Sequence, residues 1–145
     1  MLGPLALVAA LLLSPDDGRP IARDLSFRVV VNKANPVASL SRAELSAIFM
    51  RRMRSWPDGT EIRPVDHRVE ARVRERFSRA VHGKSVAYVT RYWQRLIFAG
   101  RGIPPPVVPS GAAVMQVVSA HRGAIGYIDA TTAIAGDLKV IEVTK

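Results

Sequence analysis

Between Phe27 and Lys145 the sequence alternates short β-branched runs with segments of helical period, and this alternation restricts the fold more than any other feature. Phe27 to Val31 reads as a strand that leaves through Asn32, Lys33, Ala34, Asn35 and Pro36. Ser41 and Glu44 form a capping box, in which the serine accepts from a first-turn amide while the glutamate reaches back. The helix they open carries Leu45, Ile48 and Phe49 on one face and ends in the cationic stretch Arg51 to Arg54. Trp56-Pro57-Asp58-Gly59 is a turn signal, and Glu61 to Val65 a second strand whose Pro64 predicts a sheet edge or a strand end. A helix is expected from about Val69 to Val81, with Val69, Val73, Phe77, Ala80 and Val81 inward and Arg68, Arg72, Arg74, Arg76 and Arg79 around the remainder. Gly83 stops it, and Ser85 caps the next, running to about Phe98. The proline-rich stretch Ala99 to Pro109 is a restricted loop. Ser110 caps a helix from Gly111 to about Ala120, and strands follow at Ala124 to Ile128 and about Leu138 to Val143. Strands interleaved with helices, without an internal repeat, predict one α/β or α+β layered domain.

The N-terminus is of another kind. Residues 2–13 are an apolar run ending at Ser14-Pro15, shorter than the roughly 20 residues a membrane span needs. Its length suits the apolar core of a secretory signal peptide, although no Lys or Arg precedes it; a buried N-terminal helix is the competing reading. Residues 1–22 are therefore expected to be a leader cleaved near Ala22, and residues 23–145 the mature domain, periplasmic or secreted and without a membrane span. The absence of cysteine rules out disulfides, thiolate metal sites, a nucleophilic cysteine and a lipid-modified N-terminal cysteine.

The segments Val29-Val30-Val31-Asn32 with Asn35-Pro36, Leu40-Ser41 leading to Ile48-Phe49, Trp56 to Gly59, Tyr92-Trp93 to Phe98 and Gly100, and Gly123 to Tyr127 recur in an order and at separations that carry a resemblance. The chain resembles the phosphate-type periplasmic substrate-binding proteins of ABC transporters, in particular their short relatives. The resemblance covers about Phe27 to the C-terminus. It implies one lobe of a type II periplasmic-binding-protein-like fold, a small mixed sheet flanked by helices. In that family an anion lies in a cleft between two lobes, held by helix N-termini, hydroxyls, an arginine and an aspartate. Here Val29 to Asn32 resembles the strand entering the second lobe, and Gly123 to Tyr127 the strand leading out.

The resemblance directs attention to Asp66, His67 and Arg68, at a strand-to-helix junction where α/β proteins often bind ligands. Asp66 and Arg68 keep the charged part of the family's pattern. Its Ser-Gly-Thr helix start is missing, and Glu70 stands in the expected first turn. The competing reading makes Asp66 a helix N-cap and Arg68 a solvated cation. Ser110 and Gly111 open a helix whose amides could take an anion, yet capping alone also explains the serine. Trp56, Tyr92, Trp93, Phe98 and Tyr127 suit packing better than a stacking platform.

Catalysis finds no support. The chain has no Gly-x-Ser-x-Gly elbow, zinc-protease helix or phosphate loop, and its glutamates fall in caps and on helix surfaces. His67, His82 and His121 lack the spacing of metal ligands, and no cofactor is expected. The formal charge of +9 favours acidic partners or simply a solvated basic face. With few aromatics and an expected export signal, nucleic acid is not the expected partner. The expected function is solute binding: a small oxyanion such as phosphate, or an envelope partner, with homodimerisation as a way to complete a cleft. The alternative is a structural or interaction domain of the envelope whose anion site has decayed.

Overall fold

A computed structural model describes residues Ser26 to Lys145. The expected leader, residues 1–22, lies outside the described residues. The core is a five-stranded sheet formed by β1 (Phe27–Asn32), β2 (Ser39–Ser41), β3 (Arg63–Pro64), β6 (Ala124–Asp129) and β7 (Leu138–Thr144) in the order β2-β7-β1-β6-β3. The central strand β1 runs antiparallel to both neighbours, with Val29 opposite Tyr127 on one side and Ile141 on the other. The outer strands β2 and β3 run parallel to β7 and β6. Two further short strands, β4 (Asp66–His67) and β5 (Val107–Val108), pair parallel with each other away from this sheet.

Alternation along the strands divides the core. Phe27, Val29, Val31 and Tyr127 face α1 (Arg42–Phe49) and α2 (Arg72–Phe77), where they meet Leu45, Ile48, Phe49 and Phe77. Val30, Ala124 and Ile128 face α4 (Gly111–Ala120), meeting its Val114 and Val118. A small sheet between two helical layers is the arrangement the alternation of elements predicts. The third long helix, α3 (Val86–Phe98), rests Val89 and Trp93 on Met50.

The caps read from sequence form as expected. Ser41 Oγ accepts the Glu44 amide at 3.1 Å while the Glu44 carboxylate accepts the Ser41 amide at 2.8 Å, and Ser85 and Ser110 cap α3 and α4. The expected helix from Val69 is corrected: α2 begins at Arg72, Ala71 occupies its N-cap without a side-chain bond, and Val69 is 49% exposed. After Phe77 the helix loosens into a π-helical turn over Ser78–His82, ended by Gly83 at φ 64°. The expected strand from Glu61 to Val65 shrinks to Arg63–Pro64, an edge strand, where proline can be tolerated.

Two glycines of β6 and its approach are fixed by space. A Cβ on Gly123 would lie 2.0 Å from the backbone carbonyl oxygen of Glu61. One on Gly126 would meet Val114 at 2.5 Å and Val65 at 3.0 Å, both through side-chain methyls. Side chains can turn aside more readily than a carbonyl whose strand is already paired. We therefore expect Gly123→Ala to cost about 3 kcal/mol or more and Gly126→Ala about 1–3 kcal/mol by urea denaturation. Equal costs, or the reverse order, would contradict this reading.

Candidate functional site

The pairing of β4 with β5 joins two segments that are some forty residues apart in sequence. Asp66 stands opposite Val107 and His67 opposite Val108, and the Asp66 amide donates to the carbonyl of Pro106 at 2.8 Å. The ladder ends there, and the chain runs on to Arg68 from one strand and, through Pro109, to Ser110 and Gly111 at the start of α4 from the other. Both strands run parallel, so their carboxyl ends share one rim. Asp66, His67, Arg68, Ser110 and Gly111 thus gather at one end of the domain.

Their side chains do different things there. Asp66 is buried: its Oδ1 accepts the His67 amide at 2.8 Å and the Tyr127 hydroxyl, and its Oδ2 lies 3.6 Å from Arg74 Nη2. It caps no helix, which corrects that reading. His67 is buried too, with Nε2 2.7 Å from the Tyr127 carbonyl oxygen; the carbonyl can only accept, so Nε2 carries the proton. Arg74 donates from Nη1 to the His67 carbonyl at 2.6 Å. The Tyr127 ring stacks on Phe77 with centroids 3.8 Å apart. Burial, followed by the Asp66 charge, pushes the phenol far above its ordinary range, so it remains a donor. Arg68 emerges exposed from this knot, its carbonyl accepting the Ala71 amide at 3.0 Å. Ser110 Oγ is taken up by the Ala113 amide, and Gly111 lies against Ile128 and Thr132.

Arg74 is the residue sequence reasoning passed over. It was counted among the arginines around the helix, yet with Phe77, Ser78 and Val81 it completes an i, i+3, i+4, i+7 stripe, and all four are buried. Arg28 and Arg76 were also missed. Arg28 donates to the carbonyls of Ala130 and Thr132, and Arg76 pairs with Asp129, so both guanidiniums converge on the turn beside Gly111. No local pattern marks them, since the 129–132 turn is brought to them by β6. The Asp129 carboxyl lies below its usual range, first through the Thr131 amide and hydroxyl, then through Arg76.

The model of the PBP superfamily domain matches residues 17–143. The chain belongs to that family. Among solved structures, this PBP domain is similar to an ABC-type phosphate transport receptor from Vibrio cholerae, with TM-score 0.64 and 21% identity over 81% of this chain and 46% of that one. A Clostridium perfringens structure with bound phosphate matches with TM-score 0.65 and 16% identity, covering 81% and 44% of the two chains. PstS from Borrelia burgdorferi matches at 0.56 and 14%, covering 81% and 47%. The PBP domain therefore spans about half the length of these proteins and shares their fold over that half. No curated protein matches its sequence. Among the described residues no helix is long and apolar enough to cross a membrane.

His82, at the end of the π-helical turn, receives or gives a hydrogen bond at 2.8 Å between Nδ1 and Ser46 Oγ and meets the Phe77 ring edge-on. Burial, outweighing the Asp66 charge, pulls its pKa down to about 4. The fold holds the ring neutral, so this stability is complete above the ordinary histidine value of 6.5 and is lost as pH falls towards about 4. Unfolding at pH 5 should show about 2 kcal/mol less stability than at pH 7, and His82→Gln should remove most of that difference. An unchanged pH slope in the variant would rule His82 out. Arg74→Ala, which strands a buried carboxylate, should cost about 3–5 kcal/mol, against at most about 0.5 kcal/mol for Arg68→Ala. Comparable losses from the two would show that Arg68, not only Arg74, belongs to the structural knot.

Proposed function

We propose that this PBP domain is a solute-binding module exported to the periplasm or secreted, which holds a small oxyanion of the phosphate class at the rim formed by Arg68 and the start of α4. The observation that supports this reading is the parallel pairing of β4 with β5, whose carboxyl ends lead directly to the exposed Arg68 and, past Pro109, to the start of α4. The bound phosphate of the Clostridium perfringens relative supports the ligand class. Arg68 would supply the charge, and the Gly111 and Ala112 amides hydrogen-bond donors that no side chain caps. Asp66 and His67 would act beneath the ligand, fixing the backbone from which Arg68 projects. The relatives are about twice as long, so the opposite wall of a cleft would come from a second copy or another envelope protein.

A second reading has its own support. The Asp66, His67, Arg74 and Tyr127 groups satisfy one another, and Ser110 spends its oxygen on its own helix. A domain that has turned its polar groups inward in this way suits protein contacts in the envelope rather than ligand capture.

Isothermal titration of the mature domain with phosphate and sulfate separates the two. The binding reading expects affinity on the order of micromolar, weakened about ten-fold or more by Arg68→Ala. It also expects a dimer by light scattering, or a monomer that acquires a partner. No heat with either anion at millimolar concentration would leave the interaction-domain reading standing.

A further inference from the structure

A cavity of about 640 Å³ lies on the flank of the domain, between the outer edge of β3, the proline loop and the C-terminal half of α4. It adjoins the rim described above through Val108 but opens elsewhere: Val117 of α4 and His121 just after the helix line it, whereas Ser110 and Gly111 are at the helix's other end, about 10 Å along its axis at 1.5 Å per residue. The volume falls within the range of about 300–1,000 Å³ usual for small-ligand sites. Ile103, Pro104, Val108 and Val117 give it an apolar wall, and Ile103 is 72% exposed, leaving apolar surface to be covered.

The charged part of the lining is unbalanced. Arg51 and Arg63 face a single carboxylate, Glu61, and neither guanidinium has an ion-pair or hydrogen-bond partner among the described residues. Arg51 is also where the backbone takes a positive φ, 59°, without being glycine. The Arg52 amide donates to the Ala47 carbonyl at 2.7 Å and the Arg51 amide to that of Ile48 at 3.1 Å, which is the Schellman closure of α1 with Arg51 at the position glycine usually fills. Glycine would sit there without strain. The arginine side chain therefore costs stability at this position and is spent on no internal contact.

We propose that this cavity binds a small monocarboxylate bearing an apolar chain, with Arg51 and Arg63 holding the carboxylate and the proline loop and α4 covering the chain. Two guanidiniums against one carboxylate leave one net positive charge for one anionic group. The apolar wall gives inorganic phosphate nothing to bury against. An added peptide strand is also disfavoured. The amides of Arg63 and Val65 point inward to Gly123 and Ile125, so the outward position between them is Pro64, which has no amide to donate.

Titration of the full domain with octanoate, using acetate and 1-octanol as head-only and tail-only controls, tests this directly. Octanoate should bind saturably at one site, with both controls at least about ten-fold weaker. Arg51→Gly should weaken octanoate about ten-fold or more while raising Tm by a few degrees, a combination a merely structural arginine would not produce. Arg63→Gln, at an exposed edge position, should weaken it similarly with Tm unchanged, and neither variant should alter phosphate binding. The proposal falls if octanoate does not saturate below about 10 mM, if 1-octanol binds as well, or if both variants bind normally. It also falls if octanoate is inert and the two variants instead turn a dimer into a monomer, which would make the cavity a surface between copies.

Discussion

Tyr127 stands where three parts of the fold meet. Its backbone belongs to β6, paired through Val29 to the central strand; its ring lies flat on Phe77 of α2; its hydroxyl donates to Asp66 of β4, and its carbonyl accepts from His67. Fully buried, it brings a large apolar area and one polar group that must find an acceptor. Asp66 is that acceptor. A carboxylate there requires a counter-charge, and Arg74 provides it while also holding the His67 carbonyl. The sheet, α2 and the β4–β5 pair are therefore locked through one residue, and the rim carrying Arg68 inherits its position from that lock.

The same chain of dependencies explains what could be read from the sequence. Features written in consecutive residues were legible. The Ser41–Glu44 box, the Ser85 and Ser110 caps, the Gly83 stop and the strands β1, β6 and β7 all depend on neighbours within a few positions. What escaped depends on distant partners. β2, β4 and β5 are two or three residues long and exist as strands only because β7 or one another is alongside. Val69 has the period of a buried residue but lies before the helix begins, because Arg68 to Ala71 forms a turn first. For the candidate site, the family resemblance and the junction pattern pointed to Asp66 to Arg68 and Ser110. They did not reveal the division of labour between Arg68 and Arg74, since both arginines lie in one arginine-rich stretch and only the packing of Tyr127 separates them.

The arginines that give the chain its basic character do not act as one surface. Arg74 is consumed in the core, Arg76 holds the 129–132 turn, Arg79 and Arg122 pair on the surface with Glu75 and Asp58, and Arg68 and Arg51 carry no partner among the described residues. Pairs as exposed as the one between Arg79 and Glu75 add at most about 1 kcal/mol each, so their loss would scarcely affect the fold. The uncommitted guanidiniums are different. They contribute nothing internal, and long-range attraction for anions is what remains for them.

In the sequence, Asp66 and Arg68 together keep the charged part of the family's pattern, and Glu70 is the carboxylate that stands against an anion. The folded geometry separates the roles of the first two. Asp66 turns its carboxylate inward to Tyr127 and Arg74, where its charge is already answered, while Arg68, two residues on, points away into solvent. Glu70 remains exposed and is the one nearby carboxylate on this segment not turned inward. Any preference for anions at this rim is then set by the balance between Arg68 and the α4 amides on one side and Glu70 on the other. The buried knot determines where those groups stand: Arg74 answers the Asp66 carboxylate, and His67 donates through Nε2 to the Tyr127 carbonyl.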